Sequence, residues 1–336
     1  MGGSLQAAVL TAPGRLELWE IAEPTPEPGE ASVRMRAVGI CGTDLSIFKG
    51  KIPVAYPRIM GHEMVGEVLS STGGALEPGT RVIVDPNVFC GRCARCREGR
   101  ANLCSAGWLL GRDRDGALRN AVAVPADNLY RLPDDLEDHV APLIQVLTTC
   151  VHGQRLSPIF PGDRVVVVGL GVTGLLHLQL ANMRGAGLVV GVTRSPAKLE
   201  LARELGADVT VPADDASAVD LVREATGGGG DVVIEAAGTV ATLGQAVRMA
   251  RSGGRVLAYG TIAETGGEFP FYDLYYKELV VSSPRAAQAE DYPVAIGAIT
   301  SGAVRLAPLI SLRVTLATLA DALASGGGAL KTIVEI

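Results

Sequence analysis

Aromatic residues are scarce in this chain, where phenylalanine, tryptophan and tyrosine together make up 4% of 336 residues. Proteins that bind single-stranded nucleic acid use aromatic platforms interleaved with basic side chains, and the sequence has no such pattern. The formal net charge of −6 at pH 7 also argues against a general surface for nucleic acid or acidic lipid. We therefore expect a small-molecule partner, with no nucleic acid and no membrane among the partners.

Long apolar runs are also missing. The most hydrophobic stretch, VVVVGLGVTGLLHLQLA, is interrupted by glycine and is too short to cross a bilayer. The N-terminal MGGSLQAAVL lacks the basic start and apolar centre of a secretory signal. Cys41 and Cys150 stand apart from the other cysteines, and free thiols are typical of a reducing compartment. We therefore expect a cytoplasmic location, in which clustered cysteines bind metal more often than they form disulfides.

A change of pattern near residue 148 predicts two domains. Before it, short β-branched runs such as ASVRMRAVGI and TRVIVDP alternate with proline and glycine turns. After it, the strand-like DRVVVVG, GLVVGVT and DVVIEAAG alternate with helical patterns, which is typical of a doubly wound parallel sheet. We expect an α/β protein with a mostly β domain at 1–147, completed by 288–336, and a doubly wound domain at 148–287.

The stretch FCGRCARCREGRANLC holds four of the six cysteines, spaced C-x2-C-x2-C-x7-C: Cys90, Cys93, Cys96 and Cys104. Four thiolates complete a tetrahedral zinc shell and leave no open position for a substrate, so we interpret this lobe as a structural zinc site. A disulfide pair and an iron–sulfur cluster are the alternatives, and disulfides conflict with the expected compartment.

A second set of possible metal ligands lies in GICGTDLSIFKG and MGHEMVGEV, which contain Cys41, His62 and Glu63. By itself this set is weak evidence, because a lone cysteine is usually a small core residue and a lone histidine a satisfied polar group. Thr43, two residues after Cys41, offers a hydroxyl to an oxygen bound at such a metal.

These two motifs, the cysteine lobe, VVGLGVTG and GGRVLAYGT occur in the same order in a known family. Over essentially its whole length the chain resembles the zinc-dependent medium-chain dehydrogenases/reductases, most closely their sorbitol, threonine and polyol dehydrogenase branch. The resemblance implies a GroES-like β domain, a Rossmann domain, an active site in the cleft between them, and a homodimer or homotetramer. The implied reaction is hydride transfer between a secondary alcohol or polyol, or its ketone, and a nicotinamide cofactor.

The resemblance also implies roles for individual residues. Cys41 and His62 match ligands of a catalytic zinc, and Glu63 matches a carboxylate that ligates directly in the polyol branch. The four clustered cysteines match the structural zinc site. Thr43 matches the hydroxyl that begins proton transfer from the alcohol, and Thr149 matches a threonine that packs against the nicotinamide.

Gln145, in LIQVLTT, departs from the family pattern, which has a glutamate there. Ionised Cys41 and Glu63 already balance the charge of Zn²⁺, so a neutral Gln145 avoids an anionic centre and a weaker Lewis acid. We hypothesise that Gln145 lines the open position of the catalytic zinc or binds it weakly. The alternative is a lost or altered metal site.

Ser46 is the second departure, because a relay histidine commonly stands at this position. We expect the proton to leave through Thr43, the ribose hydroxyls of the cofactor, and then water or Ser46. Serine does not titrate near neutral pH, so no histidine-like limb in the pH–rate profile is expected from this position.

Gly169, Gly171 and Gly174 form a G-x-G-x-x-G motif directly after a strand and at the start of a helical pattern. This arrangement makes a tight turn, brings the backbone close to a pyrophosphate and directs the helix N-terminus at the anion. It predicts a nicotinamide dinucleotide. The other expected contacts to the cofactor are Val172, Ala237 and Gly260.

The end of the next strand bears on which dinucleotide is used. NAD enzymes place an acid there, whereas this sequence has Thr193, Arg194 and Ser195, with Lys198 one turn further on. A guanidinium binds the 2′-phosphate of NADP through charge-assisted hydrogen bonds, and an acid would repel it. The sequence favours NADP(H) over NAD(H). The alternative is that Arg194 only flanks a solvated helix start and that NAD is used.

Two other functions fit parts of the sequence. A zinc-independent enoyl or quinone reductase of the same superfamily would share the dinucleotide motif, but the CGTD and GHE motifs argue against it. A non-enzymatic zinc-ribbon binding protein would share the cysteine lobe, but the acidic charge balance argues against that.

Overall fold

Two units make up the part of the chain that the computed structural model describes, residues 5–73, 76–213, 217–325 and 330–336. The first unit comprises Met1–Val146, Gln288–Ile296 and Leu306–Ile336, and the second comprises Leu147–Ala287 and Gly297–Arg305. None of the helices in the described residues combines the length and apolar character needed to cross a membrane.

The chain up to residue 131 is mainly strand. Its strands are β1 (Leu5–Ala12), β2 (Arg15–Ile21), β3 (Glu30–Ile40), β4 (Arg58–Ile59), β5 (Glu63–Ser71), β6 (Arg81–Val84), β7 (Asn87–Val88), β8 (Trp108–Leu109), β9 (Ala121–Pro125) and β10 (Leu129–Arg131). Its helices are α1 (Gly42–Phe48) and α2 (Ala94–Arg97), with short 3-10 turns at Ala101–Leu103 and Ala126–Asn128.

Strands and helices alternate in the next part of the chain, which begins with the helix α3 (Leu143–Leu156). The strands that follow are β11 (Arg164–Val168), β12 (Leu188–Thr193), β13 (Val209–Pro212), β14 (Gly230–Glu235), β15 (Ala250–Ala258) and β16 (Val280–Ser282). The helices between them are α4 (Val172–Met183), α5 (Pro196–Glu204), α6 (Ala218–Ala225), α7 (Val240–Met249) and α8 (Phe271–Tyr276). The chain ends with α9 (Asp291–Thr300), a 3-10 turn at Ala307–Leu309, β17 (Leu312–Thr315), α10 (Leu319–Ala324) and β18 (Thr332–Glu335).

The larger sheet of the first unit has the strand order β10-β6-β5-β3-β18-β17, with β9 also paired to β3. A smaller sheet has the order β2-β1-β4. Apolar side chains of these strands, including Val33, Val38, Met64 and Val82, are fully buried in one core cluster. Strand β18 pairs antiparallel with β3 and so belongs to the larger sheet of this unit.

The second unit contains a parallel sheet with the order β13-β12-β11-β14-β15-β16. This is the arrangement of a doubly wound dinucleotide-binding domain. Helices cover both faces of such a sheet, which explains why the valines of β11 and β12 form continuous buried runs. The expected α/β class, with a GroES-like unit and a Rossmann unit, is confirmed.

Residues 297–305 group with the second unit, whereas the sequence assigned all of 288–336 to the first domain. Side-chain contacts account for this grouping. The Gln179 amide nitrogen donates to the carbonyl oxygen of Arg305, and its oxygen accepts the N–H of Arg305 at 2.7 Å. The Arg305 guanidinium donates to the carbonyl oxygen of Glu204. Long-range polar contacts of this kind are not visible in a sequence pattern.

Candidate active site

The cysteine lobe brings its four sulfur atoms together. Sγ–Sγ distances are 3.5 Å for Cys93–Cys96, 3.8 Å for Cys93–Cys104 and 3.5 Å for Cys90–Cys104. Four sulfurs around one zinc lie about 3.8 Å apart when each Zn–S bond is about 2.3 Å, whereas a disulfide is about 2.05 Å long. All four cysteines are free thiols whose spacing fits a tetrahedral metal site.

The protonation of these thiols depends on their neighbours. Backbone N–H groups of Cys96 and Ser105 lower the pKa of Cys93 to about 6. Burial, followed by the bonds to Cys93 and Cys104, raises the pKa of Cys96 to about 12. Without a cation, four adjacent thiols therefore do not all ionise at neutral pH. This donor set fits Zn²⁺, which binds thiolates and removes the repulsion between them.

The second donor set is formed where β3 and β5 pair. Cys41 follows β3 and is the N-cap residue of α1, while His62 directly precedes β5 and Glu63 is its first residue. The ligand atoms of Cys41, His62 and Glu63 all lie within 4.8 Å of one another. Gly39 is opposite Glu63 across the strand pair, and a Cβ at Gly39 would lie 2.2 Å from Oε2 of Glu63. The sulfur, imidazole and carboxylate donors, of which His62 and Glu63 are buried, fit a zinc ion.

Asp44 supports this donor set, although the sequence analysis gave it no role. Its Oδ2 accepts the N–H of Cys41 at 2.9 Å and its Oδ1 accepts the N–H of Gly61 at 3.2 Å. Oδ1 also lies 3.4 Å from Nδ1 of His62. Burial alone would raise the pKa of Asp44, but His62 and the two backbone N–H groups hold it below its usual value. A buried carboxylate beside Nδ1 orients the imidazole so that Nε2 can face a metal. The available signal was the aspartate of the CGTD motif.

Lys331 is the second residue that sequence reasoning missed. It is buried, its Nζ donates to the carbonyl oxygen of Ile40 at 2.9 Å, and it forms an ion pair with Oε2 of Glu63. Lys331 therefore adds a lysine ammonium group beside the three possible metal donors. A lone lysine before the apolar TIVEI was the only sequence signal.

The other predicted catalytic residues lie on two helices. Thr43 and Ser46 are half-buried and lie three residues apart on α1, so they share a face of that helix. Gln145 is buried in the first turn of α3, and Thr149 lies one turn further along the same helix. The roles of these four residues stay predictions.

The predicted phosphate-binding turn has the required shape. Gly169 has a φ of +92°, and a Cβ there would lie 2.7 Å from the backbone nitrogen of Ala237. A Cβ at Gly174 would lie 1.9 Å from the carbonyl oxygen of Gly169. Gly171 is the N-cap residue of α4 and has nothing within 4 Å of its Cβ position. The turn thus leaves open space in front of a helix N-terminus, which fits a dinucleotide pyrophosphate.

A cavity of about 530 Å³ opens beside this turn. Its lining includes Thr193, Arg194 and Lys198 from the β12–α5 region, whose contacts to a cofactor stay predictions, and also Gln245 from α7. Ala237 also lines this cavity, whereas Val172, Gly174, Ser195 and Gly260 lie outside its lining. The cavity is the size of a ligand pocket, and it combines a guanidinium, an ammonium and hydroxyl groups.

Comparisons with known proteins agree with this geometry. Residues 27–134 match the family model for the alcohol dehydrogenase GroES-like domain, and residues 161–301 match that for zinc-binding dehydrogenase. The chain is 30% identical over 308 residues to sorbitol dehydrogenase of Halalkalibacterium halodurans, with 90% of each chain covered. It is 33% identical over 315 residues to L-galactonate-5-dehydrogenase of Escherichia coli, again with 90% of each covered.

A zinc-binding dehydrogenase from Sinorhizobium meliloti, solved bound to NADP, superimposes with a TM-score of 0.92 at 34% identity, covering 100% of both chains. The chain belongs to the zinc-type medium-chain alcohol dehydrogenases.

Proposed function

We propose that this protein is a zinc-dependent oxidoreductase that transfers a hydride between a secondary alcohol or polyol, or its ketone, and NADP(H). The observation that carries this proposal is the convergence of Cys41, His62 and Glu63 within 4.8 Å. Cys41, His62 and Glu63 would hold a zinc ion, which would supply a Lewis acid for the substrate oxygen, and the bound nicotinamide would supply or accept the hydride. The polyol class is supported by the similarity to sorbitol dehydrogenase and L-galactonate-5-dehydrogenase.

The chain's own residues would orient the donors and move the proton. Asp44 would hold the His62 ring, and Lys331 would hold one oxygen of Glu63. Thr43 would accept the hydroxyl proton of the alcohol while it passes its own proton to the ribose hydroxyls of the cofactor, from which it would reach water or Ser46. Gln145 would line the open side of the metal centre without adding a negative charge.

The experiment measures metal content and turnover together. Purified wild type should contain about two zinc ions per chain, one at each donor set, and should oxidise members of a panel of polyols and secondary alcohols with NADP⁺. Cys41→Ser should keep the zinc of the cysteine lobe, lose the other and lose turnover. Gln145→Glu tests the glutamine separately, by zinc retention and rate.

A wild type that is active with zinc only in the cysteine lobe would instead support the zinc-independent reductase. The glutamine would mark a lost metal site if the wild type were inactive and had no zinc at Cys41, while the Gln145→Glu variant bound zinc there and was active.

The preference for NADP(H) rests on Arg194, Lys198 and Thr193, which line the cavity where β12 ends without an acid. The similar Sinorhizobium protein was solved with NADP, which supports the same choice here. Removing a charge-assisted bond in Arg194→Ala should lower kcat/KM for NADP⁺ by about 10- to 100-fold and leave that for NAD⁺ nearly unchanged. Arg203→Ala, which removes an exposed guanidinium from the helix that follows Arg194, should change neither value. Equal efficiency of the wild type with both cofactors, or a preference for NAD⁺, would overturn the assignment.

A further inference from the structure

Two hydroxyl groups meet at the edge of the second unit that carries the phosphate-binding turn. Oγ1 of Thr149 and the phenol oxygen of Tyr259 lie 2.5 Å apart. Tyr259 directly follows β15, and its backbone N–H donates to the carbonyl oxygen of Glu235 at the end of β14, at 2.9 Å. Cys150, next to Thr149, has its Sγ 3.8 Å from the carbonyl oxygen of Thr173 in the first turn of α4. The pair therefore lies at the carboxyl ends of the parallel strands, where doubly wound sheets bind their ligands.

The tyrosine ring is fixed by a series of buried contacts. It meets the ring of His177 edge to face, with centroids 4.4 Å apart and an interplanar angle of 82°. A Cβ at Gly153 would lie 3.2 Å from Cδ2 of Tyr259, so the ring packs closely on α3. Gln154 donates to the carbonyl oxygen of His177 at 2.9 Å, and its own oxygen accepts Nε of Arg184 at 2.9 Å. Each side chain in the series has its orientation set by the next.

The imidazole of His177 is neutral at pH 7. His177 is fully buried, and burial together with the charge of Arg184 lowers its pKa to about 3. The ring under Tyr259 therefore stays neutral across the working range, and the tyrosine hydroxyl is held by packing and hydrogen bonding.

We propose that Tyr259 is a positioning residue of the nicotinamide subsite, whose hydroxyl fixes the Thr149 side chain in the orientation that meets the nicotinamide. The inference rests on the proposed function, together with the resemblance, which implies that Thr149 packs against the nicotinamide. Because the hydrogen bond from Tyr259 already holds Thr149 in place, binding of the cofactor does not have to order this side chain. The bond therefore raises the affinity for the nicotinamide end of the cofactor and for no other part of it.

The test compares ligands that differ only in the nicotinamide. Calorimetric titrations measure NADP⁺ against 2′-phospho-ADP-ribose, and NAD⁺ against ADP-ribose, on zinc-loaded wild type and variants. Tyr259→Phe removes the hydroxyl and keeps the ring on His177. It should weaken the affinity for the preferred dinucleotide by about tenfold, as expected for one lost hydrogen bond, and leave the matching ADP-ribose within about twofold. Thr149→Val should do the same, and the double variant should lose no more than either single one. Tyr56→Phe, which alters an exposed tyrosine of the first unit, is the matched control.

The outcomes separate the two proposals. If the wild type binds the dinucleotide but Tyr259→Phe and Thr149→Val bind it equally well, the positioning role is wrong and the proposed function stands. An equal loss for both members of a ligand pair shows general damage to the unit and also overturns the role. A wild type that binds none of the four ligands overturns the proposed function itself.

Discussion

Asp85 is a buried carboxyl group, 4% exposed, in the loop after β6. Burial raises its pKa to about 6, although the N–H and amide groups of Asn87 donate to Oδ1 at 2.9 Å each. The unfolded value is about 3.9, so the folded state binds the proton more tightly. The resulting stability is present below about pH 4 and is lost as the pH rises through 6, with a total of about 3 kcal/mol for two pKa units.

Asp85→Asn keeps an oxygen for both bonds from Asn87 and removes the charge. At pH 7 it should raise the free energy of unfolding by up to about 3 kcal/mol, and the gain should fall toward zero near pH 4. Urea denaturation at a series of pH values measures this. Asp135→Asn, at an exposed carboxyl, should give no such pH-dependent gain. A gain for Asp85→Asn that does not change with pH would show that burial does not raise the pKa of Asp85.

At the same scale, the sequence predicted the donor residues but not the residues that hold them. Cys41, His62 and Glu63 lie within two motifs, and their ligand atoms come together as the resemblance implied. Lys331 is 268 positions from Glu63 in the chain (331 − 63), so only the pairing of β18 with β3 brings it close. Tyr259 and Thr149 are likewise joined by tertiary structure alone.

At the scale of the element, a lysine from outside the helix donates hydrogen bonds to the carbonyl groups at the C-terminal end of α7. Nζ of Lys277, just after α8, donates to the carbonyl oxygens of Val247 and Arg248 at 3.0 Å each and of Ala250 at 3.1 Å. The last carbonyls of a helix have no partner within it, and a cation there also interacts favourably with the helix dipole.

Lys277→Met keeps most of the side-chain length and removes the ammonium. Three carbonyls, of which those of Val247 and Ala250 are partly buried, would lose their charged donor, so the free energy of unfolding should fall by about 2 kcal/mol. Lys51→Met, at an exposed lysine, is the control and should stay within about 0.5 kcal/mol of wild type in the same urea titration. Equal stability of the two variants would show that the lysine does not hold the helix end.

Long, regular elements were predictable for a physical reason. The valines of β11 and β12 are buried on both faces of a parallel sheet, which produces a continuous apolar run in the sequence. Shorter elements such as β7 and β8 pair over two residues and leave no periodic signal. The assignment of residues 297–305 depends on side-chain bonds to Gln179 and Glu204, which no local pattern encodes.

At the scale of the whole molecule, the exposed aromatic residues of the chain are concentrated around α8. Phe271, Tyr272, Tyr275 and Tyr276 are exposed there, beside β16, which pairs with β15 on one side at the edge of the parallel sheet. Exposed apolar patches and open strand edges on stable proteins mark contact surfaces. We propose that this surface joins two copies of the chain in a homodimer, or in each half of a homotetramer.

Light scattering after gel filtration tests that assembly. Wild type should elute as a dimer or tetramer, and Tyr275→Glu, which places a charge in the patch, should shift the population to smaller species. Glu224→Gln, a change at an exposed residue of α6, should leave the mass unchanged. A monomeric wild type at micromolar concentration would rule out the assembly.

Strand β18 lies between β3 and β17, and Lys331 directly precedes it. During translation, residues up to 335 must therefore leave the ribosome before β18 can pair with β3 beside Cys41. Only then can Lys331 form its ion pair with Glu63. Domains formed by earlier, contiguous segments fold while synthesis continues, and most of the dinucleotide-binding unit is such a segment. A nascent chain stalled short of this strand would therefore carry a complete parallel sheet, while the larger sheet of the first unit would lack β18 and Glu63 would lack its ion-pair partner.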